Sequence, residues 1–160
     1  MRTKEELLNE IKPHADKMDD LFLGLYEKLK NSKPLMRDEL PKSASGIYVF
    51  FNELDEPIYV GRTDDIRSRI QHHTRDGSKS GSATFAFNLA KREFGETNKS
   101  RKELDEDEKF IKIFLSHKQT LQKYSIRYLE LRNDILQTMI EPYLAYKFGT
   151  YPFNNTFENH

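Results

Sequence analysis

Residues 46–61, GIYVFFNELDEPIYVG, restrict the fold more than any other stretch of the chain. Two short runs of β-branched and aromatic residues flank the turn-forming tetrad ELDE, which predicts a β-hairpin of residues 46–52 and 57–62. Alternate side chains of a strand share a face. Ile47, Val49 and Phe51 therefore point one way, and Tyr48 and Phe50 the other. With the turn centred on residues 53–56, Tyr48 lies opposite Gly61 and Phe50 opposite Tyr59. Tyr48 and Tyr59 then become diagonal neighbours on one face, roughly 7–8 Å apart. Gly61 has no side chain, so a hollow is expected beside Tyr48 in which a polar group could sit.

The segment that follows is read as a helix aimed back at this hollow. Thr63 is expected to cap it, with Asp64 and Asp65 in its first turn, where carboxylates suit the helix dipole. It should run to about His73. Arg69 and His73 are four residues apart and share a face, beside a buried stripe of Ile66 and Ile70. Arg62 stands at the strand terminus. Phenols, guanidinium groups and an imidazole thus converge, a set suited to a phosphate. His72 should face solvent, and His14, His117 and His160 read as surface residues.

The rest of the chain builds an α/β (α+β) fold around the hairpin. Apolar residues recur at helical spacing over residues 3–32, where Pro13 should divide a short helix from a longer one. NSKPLMRDELPKSAS reads as a linker. This gives a helical N-terminal extension and linker, 1–42, and a main domain, 43–160. Within that domain, TRDGSKSGS is a loop and ATFAFNLAKREF a helix ended by Gly95. ETNKSRK is a second exposed loop, and 105–122 a charged helix with Phe110, Ile113, Phe114 and Leu121 inward. SIRYLEL alternates as a third strand, and Asn133 or Asp134 caps a final helix running towards Phe148. The expected architecture is a small three-stranded antiparallel sheet flanked by helices, with the N-terminal helices packed outside it.

Composition narrows the function. Lys and Arg together number 26, as do Asp and Glu, so formal net charge is zero and avid non-specific nucleic-acid binding is disfavoured. The charge is uneven, with ten basic and five acidic residues between Arg62 and Lys102. Arg75, Lys79, Lys99, Arg101 and Lys102 lie on the two loops, where they could meet a DNA backbone. The absence of cysteine excludes disulfides, cysteine-ligated zinc and thiol catalysis, and suits a reducing cytoplasm. No apolar run reaches the roughly 18 residues of a membrane span, and the acidic, amphipathic start is unlike a signal peptide.

The cluster of motifs resembles the GIY-YIG nuclease family. Gly46-Ile47-Tyr48 matches the first element and Tyr59-Val60-Gly61 the second, with Val in place of the usual Ile. Arg62 occupies the position of a common basic residue, Arg69 that of the family's arginine, and His73 that of its His or Tyr. The family also uses a helix-borne glutamate and a later asparagine; Glu141 in LQTMIEPYLAYKF and Asn154 in YPFNN match them, with Asn155 a competitor for Asn154. Pro142 directly after Glu141 is a departure expected to kink that helix. The resemblance covers about residues 45–160.

What the resemblance implies is hydrolysis of DNA phosphodiesters with one divalent ion, Mg²⁺ or Mn²⁺, held by Glu141. Tyr48 or Tyr59 would take the proton of the attacking water. A free phenol has a pKa of about 10, so Arg69, Arg62 or the metal must depress it, or the phenol only orients the water. Arg69 would stabilise the charge that develops on phosphorus. His73 would position the nucleophile, bind the phosphate or share the role of base. Gly61 and Arg62 would lie against the substrate, and Asn154 would orient Glu141 or brace the fold. Duplex or branched DNA is the implied partner, and the short chain implies either a homodimer or a nicking enzyme. The alternative is a non-catalytic nucleic-acid-binding or interaction module on the same fold.

Overall fold

The computed structural model describes residues 3–95 and 98–154. Strands β1 (Gly46–Phe51) and β2 (Pro57–Thr63) form the hairpin, and β3 (Ser125–Glu130) pairs antiparallel with β1, giving the order β2-β1-β3. The hairpin register matches the sequence expectation: Tyr48 opposes Gly61, Val49 opposes Val60, and Phe50 opposes Tyr59. A bulge beyond Phe50 shifts the pairing so that Phe51 meets Pro57.

Among the described residues the α-helices are α1 (Lys4–Lys30), α2 (Ile66–Thr74), α3 (Thr84–Phe94), α4 (Arg101–Asp105), α5 (Glu108–Leu121) and α6 (Asp134–Lys147). They cover both faces of the sheet. Tyr48, Phe50 and Tyr59 build one core with Ile66 and Ile70 of α2, Phe85 of α3 and Phe110 of α5. Ile47, Val49, Phe51 and Val60 build the other with Phe22 and Leu29 of α1 and Ile140 and Leu144 of α6. The period-two pattern of β1 feeds both layers, as a central strand must. None of the described helices is long and apolar enough to cross a membrane.

Gly46 begins β1 where no other residue fits. A Cβ there would lie 2.8 Å from the backbone nitrogen of Leu131 and closer still to the carbonyl of Leu129.

Several local expectations are corrected. α1 is one helix through Pro13, which removes a single backbone donor while the turns on either side keep theirs. Pro142 lies inside α6, which continues through it. Asp65, not Thr63, caps α2: its side chain accepts from Ser68 N at 3.0 Å, and Thr63 still belongs to β2. The charged helix expected over 105–122 begins at Glu108, capped by Asp107. Part of the expected ETNKSRK loop is α4, nucleated by a capping box between Ser100 and Glu103. The presumed linker is also tied into the fold: Leu35 exchanges both backbone hydrogen bonds with Ile126, and Leu40 is buried.

Candidate active site

The site lies along β2, an edge strand. Gly61 does not leave a hollow beside Tyr48, because the Tyr48 ring fills it: a Cβ on Gly61 would sit 2.5 Å from Tyr48 Cζ. The glycine brings the phenol over β2. The Tyr48 and Tyr59 rings are 6.3 Å apart, and Phe85 of α3 stacks on Tyr59 at 4.3 Å.

α2 adds the imidazole and a guanidinium. His73 is fully buried, with Nε2 3.0 Å from Tyr48 Oη, while Nδ1 has no hydrogen-bond partner. Arg69 is held by the start of α3, donating to the Ser82 carbonyl and to Thr84 Oγ1, each at 3.1 Å. His72 is exposed, as expected.

Glu141 reaches the same edge from the opposite layer, on α6. Its Oε2 accepts from Arg62 Nε at 3.1 Å; the Glu141 side chain is 15% exposed and that of Arg62 44%. Glu141 is near enough for its charge to act on both phenols. Tyr48, Tyr59, Arg62, Arg69, His73 and Glu141 are therefore gathered in one place.

Burial dominates the electrostatics. It pushes Tyr48 well above the usual phenol range, with a charge on Tyr59 or Glu141 pushing the same way and Arg69 opposing. Tyr59 is pushed up to about 12, chiefly by burial, with Arg69 opposing and Glu141 adding. His73 is pushed down to about 3, by burial first and then by Arg69 and His72. Burial also raises the Glu141 carboxyl, against Arg62 and Arg69. The resting site thus holds two neutral phenols and a neutral imidazole. Arg69 alone does not depress either tyrosine.

Asn154 is buried, and its side chain is engaged with the outer edge of β2 rather than with Glu141. Its Nδ2 donates to the Val60 carbonyl, and its Oδ1 accepts from Thr150 Oγ1 at 3.0 Å and Val60 N at 3.4 Å. Asn155 and His160 lie outside the described residues. Of the loop cations, Arg75, Lys79, Arg101 and Lys102 are exposed, while Lys99 pairs with Asp107 at 3.0 Å.

Two supporting residues escaped the sequence reading. Lys118 of α5 has no exposed surface; its ammonium donates to the carbonyls of Asp76 at 2.8 Å and Ser78 at 2.6 Å, pinning the loop that leads to Ser82 and Thr84. Arg92 of α3 donates to the Pro152 carbonyl at 2.9 Å and covers Phe153, holding the segment that carries Asn154. Lys118 stands at Phe114 plus four on the apolar side of α5, a position from which burial could have been read. Nothing local marked Arg92.

The donor set suits a hard divalent ion. Among the described residues no group of three or more His, Cys, Asp and Glu side chains gathers, which leaves one carboxylate beside phenol oxygens. Mg²⁺ is commonly held by one or two carboxylates, with waters and substrate phosphate completing its shell.

The chain matches the GIY-YIG catalytic domain over residues 44–124, half its length. That stretch includes both tyrosines, Arg62, Arg69 and His73, and ends before Glu141 and Asn154. No curated protein and no solved structure gives a significant match. On its sequence match and on its three-stranded sheet with flanking helices, the chain belongs to the GIY-YIG family of nucleases.

Proposed function

We propose that the protein is a metal-dependent endonuclease that hydrolyses phosphodiester bonds in DNA, with residues 43–160 as the nuclease unit and 1–42 as its helical extension. One observation carries the reading: two phenols, an imidazole, two guanidinium groups and a carboxylate from both layers meet on the edge of β2. Glu141 would hold Mg²⁺ or Mn²⁺, whose positive charge beside Tyr48 and Tyr59 would offset the burial that keeps them protonated.

Tyr48 is the general base in this reading. Its phenol, whose proton would leave to solvent when the divalent charge is bound beside it, then takes a proton from the attacking water, while neutral His73, 3.0 Å away, holds the Tyr48 oxygen in place. Tyr59 orients that water. Arg69, fixed by Ser82 and Thr84, stabilises charge developing on the phosphate. Arg62 keeps Glu141 ionised and presents its exposed side to the substrate. Gly61 lets the Tyr48 ring lie against β2 and so seats the phenol at the site, and Asn154 braces the strand. A cysteine-free chain that works on DNA suits the cytoplasm.

The test is cleavage of supercoiled plasmid by the wild type, Glu141→Gln and Arg69→Ala, with Mg²⁺, with Mn²⁺ and with EDTA. Metal-dependent cutting that both variants lose by about 10²-fold or more is expected. Binding of DNA without cutting under either metal would instead assign a non-catalytic binding module.

A further inference from the structure

A separate pocket lies at the turn end of the hairpin. Its cavity of about 460 Å³ is lined by the C-terminal ends of α1 and α6, the hairpin turn and β3. That size suits a small organic ligand. Pro57 stands on its rim, roughly 17 Å along β2 from Arg62.

The lining has two kinds of surface. One wall is aromatic: Tyr26 and Phe148 are half-buried with ring centroids 4.9 Å apart, and Phe51 meets Phe148 at 6.0 Å. The rest is cationic. Lys30 and Lys147 are exposed, and neither has an ion-pair partner among the described residues. The Arg127 guanidinium lies over the Phe51 ring at 4.2 Å. Its Nη2 donates to the Asp55 carboxylate at 2.9 Å, and its Nε has no hydrogen-bond partner among the described residues. A lysine in the last turn of a helix complements the dipole, which explains Lys30 and Lys147 in part. It does not explain three cations around one cavity. Each helix end brings about half a negative charge, so even with Asp55 the cations stay in excess.

Asp55 shows what the guanidinium accepts. It sits in the turn at φ 59, the left-handed region that a side chain adopts at a cost. Its side chain is 62% exposed yet stands against that of Arg127, which is 13% exposed. The carboxylate thus holds the place that an external anion would take. We infer that this cavity binds a nucleotide, with its phosphate on Arg127, Lys30 and Lys147 and its base against Tyr26 and Phe148. Arginine matches phosphate geometry, and nucleobases stack on aromatic rings whatever their identity. A folded partner needs a far larger surface, and an aliphatic acid would leave the aromatic wall unused. The source is a free mononucleotide or the phosphorylated end of a DNA strand. None of these residues belongs to the proposed nuclease site, so the two stand or fall separately.

Amide NMR titration of the full chain in EDTA tests it. The probes are deoxyadenosine monophosphate, inorganic phosphate, deoxyadenosine, and a short DNA strand with and without a terminal phosphate. The monophosphate is expected to shift the Asn31, Arg127 and Phe148 amides saturably, with a Kd below about 1 mM. Phosphate or deoxyadenosine alone should bind about 10-fold more weakly or less. Lys30→Glu and Lys147→Glu should each weaken the monophosphate about 10-fold with unchanged melting. Asp55→Asn, which keeps a residue suited to the left-handed turn, should tighten it about 3-fold. Shifts that need the terminal phosphate of the strand assign the site to DNA ends; shifts with the monophosphate alone assign it to the free nucleotide. No saturable shift by about 5 mM, shifts confined to Gly61 and Arg62, or phosphate binding as tightly as the monophosphate overturns the inference. Supercoiled plasmid has no strand ends, so its cutting by Lys147→Glu should match the wild type. A protein that cuts nothing leaves the titration result as it stands.

Discussion

Tyr48 Oη and His73 Nε2 lie 3.0 Å apart in a site where both residues are buried. Each ring is the other's polar partner, and protonating His73 would place an uncompensated cation inside a core. The native state therefore holds His73 neutral down to about pH 3, whereas the unfolded chain protonates it near the ordinary imidazole value of about 6.5. Between those values the unfolded state binds more protons, so stability rises with pH. The contribution of neutral His73 is complete above the unfolded value and is lost as pH falls towards the folded one. Urea denaturation should show a loss of about 2 kcal/mol between pH 7 and pH 5 from this group, and His73→Gln should flatten that slope. An equally steep slope in the variant would count against a buried neutral histidine.

Gly61→Ala should destabilise the protein without disturbing any charged group. The added Cβ would lie 2.5 Å from Tyr48 Cζ, and the ring cannot retreat because Tyr48 is 1% exposed. Overpacking of this kind costs about 1–3 kcal/mol. Thermal melting should fall by several degrees, and Gly61→Ala, Tyr48→Phe should be no worse than the single variant if part of the clash is with the hydroxyl.

Arg62→Ala should move the acid limb of the pH–rate profile upward. Burial raises the Glu141 carboxyl, and Arg62 is the first group opposing that rise. Without it Glu141 stays protonated to higher pH, and metal binding needs the ionised form. The expected result is activity that recovers towards wild type as pH increases. Loss by an equal factor at every pH would mean that Arg62 acts on the substrate alone.

Asn154→Ala should act through β2. The side chain satisfies both the N–H and the carbonyl of Val60 on the open edge of the strand. Leaving those groups buried and unpaired costs about 1–3 kcal/mol. Hydrogen exchange should show the Val60 amide losing protection ahead of its neighbours in β1. Unchanged protection at Val60 would refute the bracing role.

Much of the fold was legible because its signals are local. The alternation of GIYVFF and PIYVG carries the hairpin, its register and the two faces, since a strand repeats every two residues whatever surrounds it. The spacing of Arg69 and His73 carries their shared helix face in the same way. The N-cap of α2 was misread because Thr63, Asp64 and Asp65 are all chemically able to cap, and the extension of β2 decides among them. Pro13 suggests a division of the first helix because the cost of a missing donor is local, yet α1 continues through it, since a single lost donor leaves the turns on either side intact.

The sequence by itself determined which residues are amphipathic partners of which, because periodicity is a property of consecutive positions. Only the tertiary structure decided which polar atoms are buried and who satisfies them. Asn154 meets Val60 from 94 residues away, Glu141 meets Arg62 from 79, and Lys118 meets Ser78 from 40. Burial is set by the packing of whole layers, and it is burial that moves the ionisation of the two tyrosines further up and keeps His73 neutral well into acid.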